Sequence, residues 1–151
     1  MIASTVWNQL VSTLQNNPTL SSYVKYVFEG RRDNIEPASL PCLMLEPVQV
    51  GDIEREMNHT QDLWMSVNVF AFSSANYHEF PKTIVGGQDY KGILDIENDI
   101  RACLQQSNTL GGNVIDTRVE SVQFDQVDIG KYPVRGLLMP VRILYRQVNE
   151  V

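Results

Sequence analysis

The side chains able to do chemistry are few and scattered along the chain. His59 and His78 are the only histidines, and both fall in polar stretches that read as loops, with no Ser or Cys held beside either. Acyl transfer needs a nucleophile, a base and an orienting group within hydrogen-bond reach, and this spacing does not supply them. Gly86-Gly87 and Gly92 lack the Lys-Ser/Thr ending of a phosphate-cradling loop and do not follow a clear strand pattern, so a plain loop is the simpler reading. Asp95, Glu97 and Asp99 lie in one helical pattern, where residues two apart point different ways. A cation there would need oxygens from elsewhere, with Asp125 and Asp128 as the candidates. Cys42 and Cys103 stand in apolar surroundings without a CxxC spacing, which reads as two buried, reduced thiols. No catalytic residue, metal or cofactor is expected, and an enzyme is the minority reading.

What remains is a scaffold, and its composition bounds the kind. The chain has 151 residues, 43% hydrophobic and 20% charged, which suits one domain with its own core and excludes a disordered chain. A net charge of −6 argues against a protein whose main task is gripping nucleic acid, because that needs clustered Lys and Arg to displace counterions. Arg31-Arg32 is the only adjacent basic pair, and Asp33 follows it at once, as in a solvated loop. Apolar stretches are too short to cross a bilayer, and the amino terminus lacks the pattern of a secretory signal. The expectation is synthesis in a cytoplasm and no membrane.

The elements are organised around two alternating runs, Val114 to Val127 and Val134 to Gln147, joined at Asp128-Ile129-Gly130-Lys131. Their period of two predicts an antiparallel hairpin. Pro140 has no N–H for a ladder, so the second run is expected to kink there or to have a free edge. Upstream, Val6, Leu10, Val11 and Leu14 recur at helical spacing, with Ser4 or Thr5 as cap and Asn16-Asn17-Pro18 as stop. Leu20 to Phe28 reads as one helical turn leading into a strand near Val27, and residues 30–39 as a polar connector. Cys42 to Leu45 reads as a strand covered on both faces. Glu46 to His59 is either a loop or an exposed extension of its flanking strands. Gln61 to Phe72 alternates, with Leu63, Met65, Val67, Val69 and Ala71 on one face and Trp64, Phe70 and Phe72 on the other. That second aromatic face is expected to pack under the first helix or to receive a partner. Ser73 to Asp89 is a long loop with enough apolar content to order on contact with something. Tyr90 to Gln106 is the clearest helix, with a stripe of Ile93, Ile96, Ile100, Cys103 and Leu104, Asp89 as cap, and a Glu97–Arg101 pair of favourable polarity.

Helices and strands in separate blocks predict an α+β fold: a largely antiparallel, mixed sheet of four to five strands with two main helices packed against it. Residues 1–151 form one domain in this reading, with 73–89 as its long loop. No internal repeat is visible.

The order of elements resembles the tail terminator, or tail completion, proteins of long-tailed, siphovirus-like bacteriophages. The residues that carry it are the helix Val6 to Leu14, the LPCLMLEP strand (Leu40 to Pro47), the LWMSVNVFAF strand (Leu63 to Phe72), the ILDIENDIRACL helix (Ile93 to Leu104) and the VRGLLMPVRILYR strand (Val134 to Arg146). The resemblance implies a virion protein that forms a hexameric ring on the head-proximal end of the tail tube, stops tube polymerisation and offers a surface for the head. Its implied partners are other copies of itself, the tail tube protein and a head-completion or neck protein, with DNA passing through the lumen without specific binding. Candidate subunit and tube contacts are Arg31, Arg32 and Asp33 of the basic loop; Asp52, Glu54, Arg55 and Glu56 of the 46–59 segment; Trp64 and Phe70 of the alternating strand; and Tyr77 and Phe80 of the long loop. Other neck connectors share the pattern. From a different class, a small-ligand binding domain or enzyme would use the long loop as a lid beside Trp64 and His78.

Overall fold

A computed structural model of the chain describes residues 2–74, 83–87, 91–129 and 132–148. The fold is α+β. Helix α1 (Ala3–Asn16) is followed by a single helical turn, α2 (Pro18–Ser21), and a short strand, β1 (Tyr26–Glu29). Two long strands come next, β2 (Cys42–Met57) and β3 (Thr60–Phe72), then helix α3 (Ile93–Gln106), then β4 (Asp116–Val119), β5 (Gln123–Ile129) and β6 (Tyr132–Val148). One mixed sheet runs β1-β2-β3-β6-β4, with β5 also paired to β6. Only β1 and β2 are parallel; the other pairings are antiparallel. Among the described residues the sheet has six strands, against four to five expected, because the first C-terminal run is two strands.

Periodicity explains which face is covered. In β3, Leu63, Met65, Val67, Val69 and Ala71 point to one side and are buried, as are Leu137, Met139, Val141, Ile143 and Tyr145 of β6. Helices α1 and α3 bring Val6, Leu10, Leu14, Ile93, Ile96, Ile100 and Leu104 onto that side, forming the main core. Removing a large side chain here, as in Leu10→Ala, costs about 2–5 kcal/mol.

Local details differ from the sequence reading at two places. The α1 N-cap is Ile2, with no side-chain cap bond; the Thr5 and Val6 N–H groups donate to the Ile2 carbonyl, so Ser4 and Thr5 lie inside the first turn. At α3 the cap position is Gly92. Asp95 accepts hydrogen bonds from the backbone N–H of Gly92 at 3.0 Å and of Gly86 at 2.8 Å, tying residues 83–87 to the helix start. Asp89 lies outside the described residues. Asp95 and Asp99, four residues apart on the helix, are each engaged: Asp99 takes the Tyr23 hydroxyl at 2.8 Å and lies 3.5 Å from Lys91 Nζ.

Pro140 lies where one edge of β6 has no strand partner, the second of the two outcomes expected for it. Its carbonyl accepts from Glu120 N–H just beyond the end of β4. In a strand, N–H and C=O of one residue share a side, so the missing donor falls where β4 stops and before β5 begins. The chain on that side takes four steps from Val119 to Gln123 while β6 takes three, from Val141 to Leu138. The interruption is a bulge that accommodates the proline. The hairpin itself is present, paired down to Ile129↔Tyr132, with residues 130 and 131 of its turn outside the described set.

Candidate interaction surface

The 46–59 segment is an extension of the strands. β1 pairs with β2 only over Cys42 to Leu45; beyond that point β2 stays paired to β3 up to Met57↔Thr60, and β3 in turn to β6 down to Thr60↔Val148, so this arm is the end of the sheet backed by β6, with the outer edge of β2 open among the described residues. Asn58 and His59 make the tip, with Asn58 at φ 49°, a conformation Asn tolerates in two-residue hairpin turns. The register shifts three times along the arm, between Pro47 and Gln49, Val50 and Asp52, and Ile53 and Arg55, and Gly51 adopts φ 125°. Such bulges twist an edge strand and discourage uncontrolled pairing along it. β2 nevertheless keeps Val48, Val50, Ile53 and Met57 about half exposed, an unusual load of apolar surface for one edge strand.

Of the predicted contact residues on the arm, Glu54, Arg55 and Glu56 are exposed. Asp52 pairs through its backbone with Trp64, and its side chain lies outside the description. Trp64 faces away from the helices, so the expectation that it packs under α1 is incorrect. The period of two that buries Leu63 and Met65 beneath the helices sends Trp64 to the opposite side. It is still only 6% exposed, because neighbouring charged side chains cover it. Its Nε1–H donates to Glu54 at 3.0 Å, and the Arg118 and Arg142 guanidiniums lie 5.2 and 4.6 Å from its ring. Those cations are balanced in turn, Arg118 by Asp116 at 3.1 Å and Arg142 by Glu120 at 3.7 Å. Nearer the tip, Arg146 holds the buried Asp62 through two bonds of 2.8 and 3.1 Å, and the donated hydrogen bonds keep the Asp62 carboxyl below its ordinary pKa. The helix-free face of the arm is thus a lattice of paired charges around one Trp. Alternation in β6 signalled it: Arg142 and Arg146 fall on the face opposite Val141, Ile143 and Tyr145.

At the other end of the same face lies a second, apolar layer. Leu40, Cys42, Met44 and Val134 are buried there, with Phe28, Ile35, Phe70, Phe72 and Val127 packed against them, beneath the 30–41 connector. The connector carries Arg31 over the Phe70 ring at 5.0 Å and Arg32 over the Phe28 ring at 4.3 Å. Beside Arg31 a cleft of about 290 Å3 opens between Phe70, Phe72 and β5, where Asp125 and Phe124 contribute to its wall. Phe70, like Trp64, lies on the helix-free face, covered here by the connector and not by α1. Asp33 is exposed on the same connector. Tyr77, Phe80 and His78 lie outside the described residues. Phe72 belongs to the aromatic face singled out in the sequence; Phe124 was not singled out, since a lone exposed Phe in an alternating run carries no special signal.

The remaining polar groups have structural roles. Tyr23, hydrogen-bonded to Asp99, ties the α2–β1 link to α3, and burial together with that carboxylate raises its pKa. Burial pushes the Cys42 thiol up to about 11 and also raises that of Cys103, so both are poor nucleophiles at neutral pH. Among the described residues no three His, Cys, Asp or Glu side chains converge as a metal site. His59 stands exposed at the arm tip, beside an open cavity of about 530 Å3 whose Asp62 is already engaged by Arg146.

This arrangement places Glu54, Arg55, Glu56 and Trp64 on the arm and Arg31 with Phe70 at the cleft toward the other end of the sheet; Arg32 and Asp33 lie on the same connector without lining the cleft, Arg32 standing over Phe28. Comparison with protein-family models and with curated proteins finds no match.

Proposed function

We propose that the chain is a structural subunit of a long-tailed bacteriophage virion, forming a hexameric ring that caps the head-proximal end of the tail tube, ends its polymerisation and presents the head-joining surface. The observation that carries the reading is the β2–β3 arm. It extends past the part of β2 that β1 pairs, exposes Val48, Val50, Ile53 and Met57, and sits at the far end of the sheet from the Arg31 cleft. Two unlike patches at opposite ends of one subunit are what a head-to-tail ring requires. The sequence resemblance over both helices and the long strands adds the phage context.

The paired charges around Trp64 fit a wall that DNA passes without being held. Arg118, Arg142 and Arg146 each have a carboxylate within ion-pairing distance, which leaves little charge for phosphate to recruit. Assembly would take place in the host cytoplasm and the mature location would be the virion. The decisive experiment is quantitative mass spectrometry of purified particles against the tail tube protein, with labelling to locate the chain. About six copies at the head–tail junction are expected for a single ring. Complete absence from particles overturns the reading.

A further inference from the structure

We infer that the tip of the arm binds a phosphate monoester, held by Arg55, His59 and Thr60 beside the Asp62–Arg146 pair. The site stands independently of the ring reading above and adds a small anionic ligand to it.

Strand register assembles the site. Arg55 pairs with Asp62 and Asp62 with Arg146, so the three side chains form one row across β2, β3 and β6 on the helix-free face. The next row toward the turn is Met57, Thr60 and Val148. Both rows, with His59 at the turn, line one open cavity of about 530 Å3. Glu56 pairs with Gln61 and falls on the opposite face, while Glu54 accepts from Trp64. Asp62 is therefore the only carboxylate in the cavity wall among the described residues.

Charge selects an anion. Two guanidiniums against one carboxylate leave the row with an excess of positive charge, in a chain whose net charge is −6. Arg146 gives two bonds to Asp62. Those bonds are the main cause of the lowered Asp62 pKa, and the nearby charge of Arg55 adds to it. Yet among the described residues Arg55 has no carboxylate partner, and its hydrogen bond goes to the Met57 sulfur at 2.8 Å. A thioether is a weak acceptor, whereas a guanidinium fork suits a pair of oxygens.

Geometry selects phosphate. The Thr60 hydroxyl and the His59 ring make no side-chain hydrogen bond among the described residues, and both border the cavity. Donors thus approach from β2, from the turn and from β3. A planar carboxylate offers two oxygens, and a terminal phosphate offers three. A monoester keeps those three oxygens and close to two charges near neutral pH, which a backbone phosphodiester does not. Met57 and Val148 flank Thr60 and are each about half exposed, so the body attached to the phosphate has an apolar wall to lie against.

The test is a titration of the isotope-labelled full chain, followed through amide shifts in NMR. The probes are phenyl phosphate, inorganic phosphate, acetate and a short DNA duplex, all at one ionic strength so that screening is constant. Phenyl phosphate should give saturable shifts confined to residues 55–62 and 146–148, with inorganic phosphate binding more weakly and acetate about tenfold more weakly still. Arg55→Gln should weaken phenyl phosphate binding by about tenfold or more, and Arg55→Lys, which keeps the charge without the fork, by less. Position 55 is exposed, so both variants should melt with the wild type when no ligand is present, which separates a lost site from a lost fold. Shifts that never saturate, that acetate produces equally, or that survive Arg55→Gln unchanged overturn the site. Inorganic phosphate binding as tightly as phenyl phosphate, or the duplex saturating the same amides at a lower phosphate concentration, overturns the monoester.

Discussion

Gly136 lies directly across from Phe72 on the neighbouring strand, so close that a Cβ at position 136 would stand 3.2 Å from Cε1 and 3.3 Å from Cδ1 of the ring. The absent side chain is what lets Phe72 lie flat over β6 and shape the inner wall of the Arg31 cleft. Gly136→Ala should be nearly neutral, because Phe72 is only partly buried and its ring can give by a few tenths of an ångström. Gly136→Val places two further methyl groups against the ring and should cost about 1–3 kcal/mol, read as a lower urea midpoint at unchanged slope.

Tyr145 is buried in the main core with its hydroxyl unpaired among the described residues, and burial raises its pKa. An unsatisfied buried hydroxyl costs about 1–3 kcal/mol, so Tyr145→Phe should leave stability unchanged or raise it by about 1 kcal/mol. A clear loss in chemical denaturation would show that the hydroxyl has a partner such as a bound water.

The Asp62–Arg146 pair sets a pH dependence. The pair lowers the folded-state pKa of Asp62 below its unfolded value, so the carboxylate's contribution is full above the ordinary Asp range and is lost as pH falls through the folded-state value. Thermal stability of the wild type should therefore fall more steeply below about pH 4 than that of Asp62→Asn, which has no charge to lose. Parallel melting curves at every pH for the two proteins would contradict this.

Asp95 holds two backbone donors at the start of α3 at once, Gly92 and Gly86. Asp95→Ala should cost about 1–2 kcal/mol, in the range of a lost helix cap. It should also speed amide exchange across residues 83–87 well beyond the global change. Asp95→Asn, which keeps an acceptor oxygen, should recover part of both effects.

Sequence alone determined the repeating parts of this protein. The 3.6-residue spacing of Val6, Leu10 and Leu14, and of Ile93, Ile96 and Ile100, identified both long helices, and the alternation in Leu63–Phe72 and Val134–Gln147 identified the central strands, because burial of one face imposes those periods locally. The Glu97–Arg101 pair was equally legible and is present at 2.6 Å, since four-residue spacing fixes such neighbours without any tertiary partner. Tertiary structure decided the rest. Residues 46–57 are polar enough to be a loop or a strand, and pairing with β3 made them an arm. Trp64 could have met α1 or a partner, and the sheet's parity placed it among arginines that lie far away in the chain. Asp95 became a double cap only because Gly86 is folded back onto the helix. Arg31 and Phe70 joined one wall of a cleft because the connector crosses the helix-free face. Each outcome depends on which distant segments share a face, and local periodicity carries no information about that.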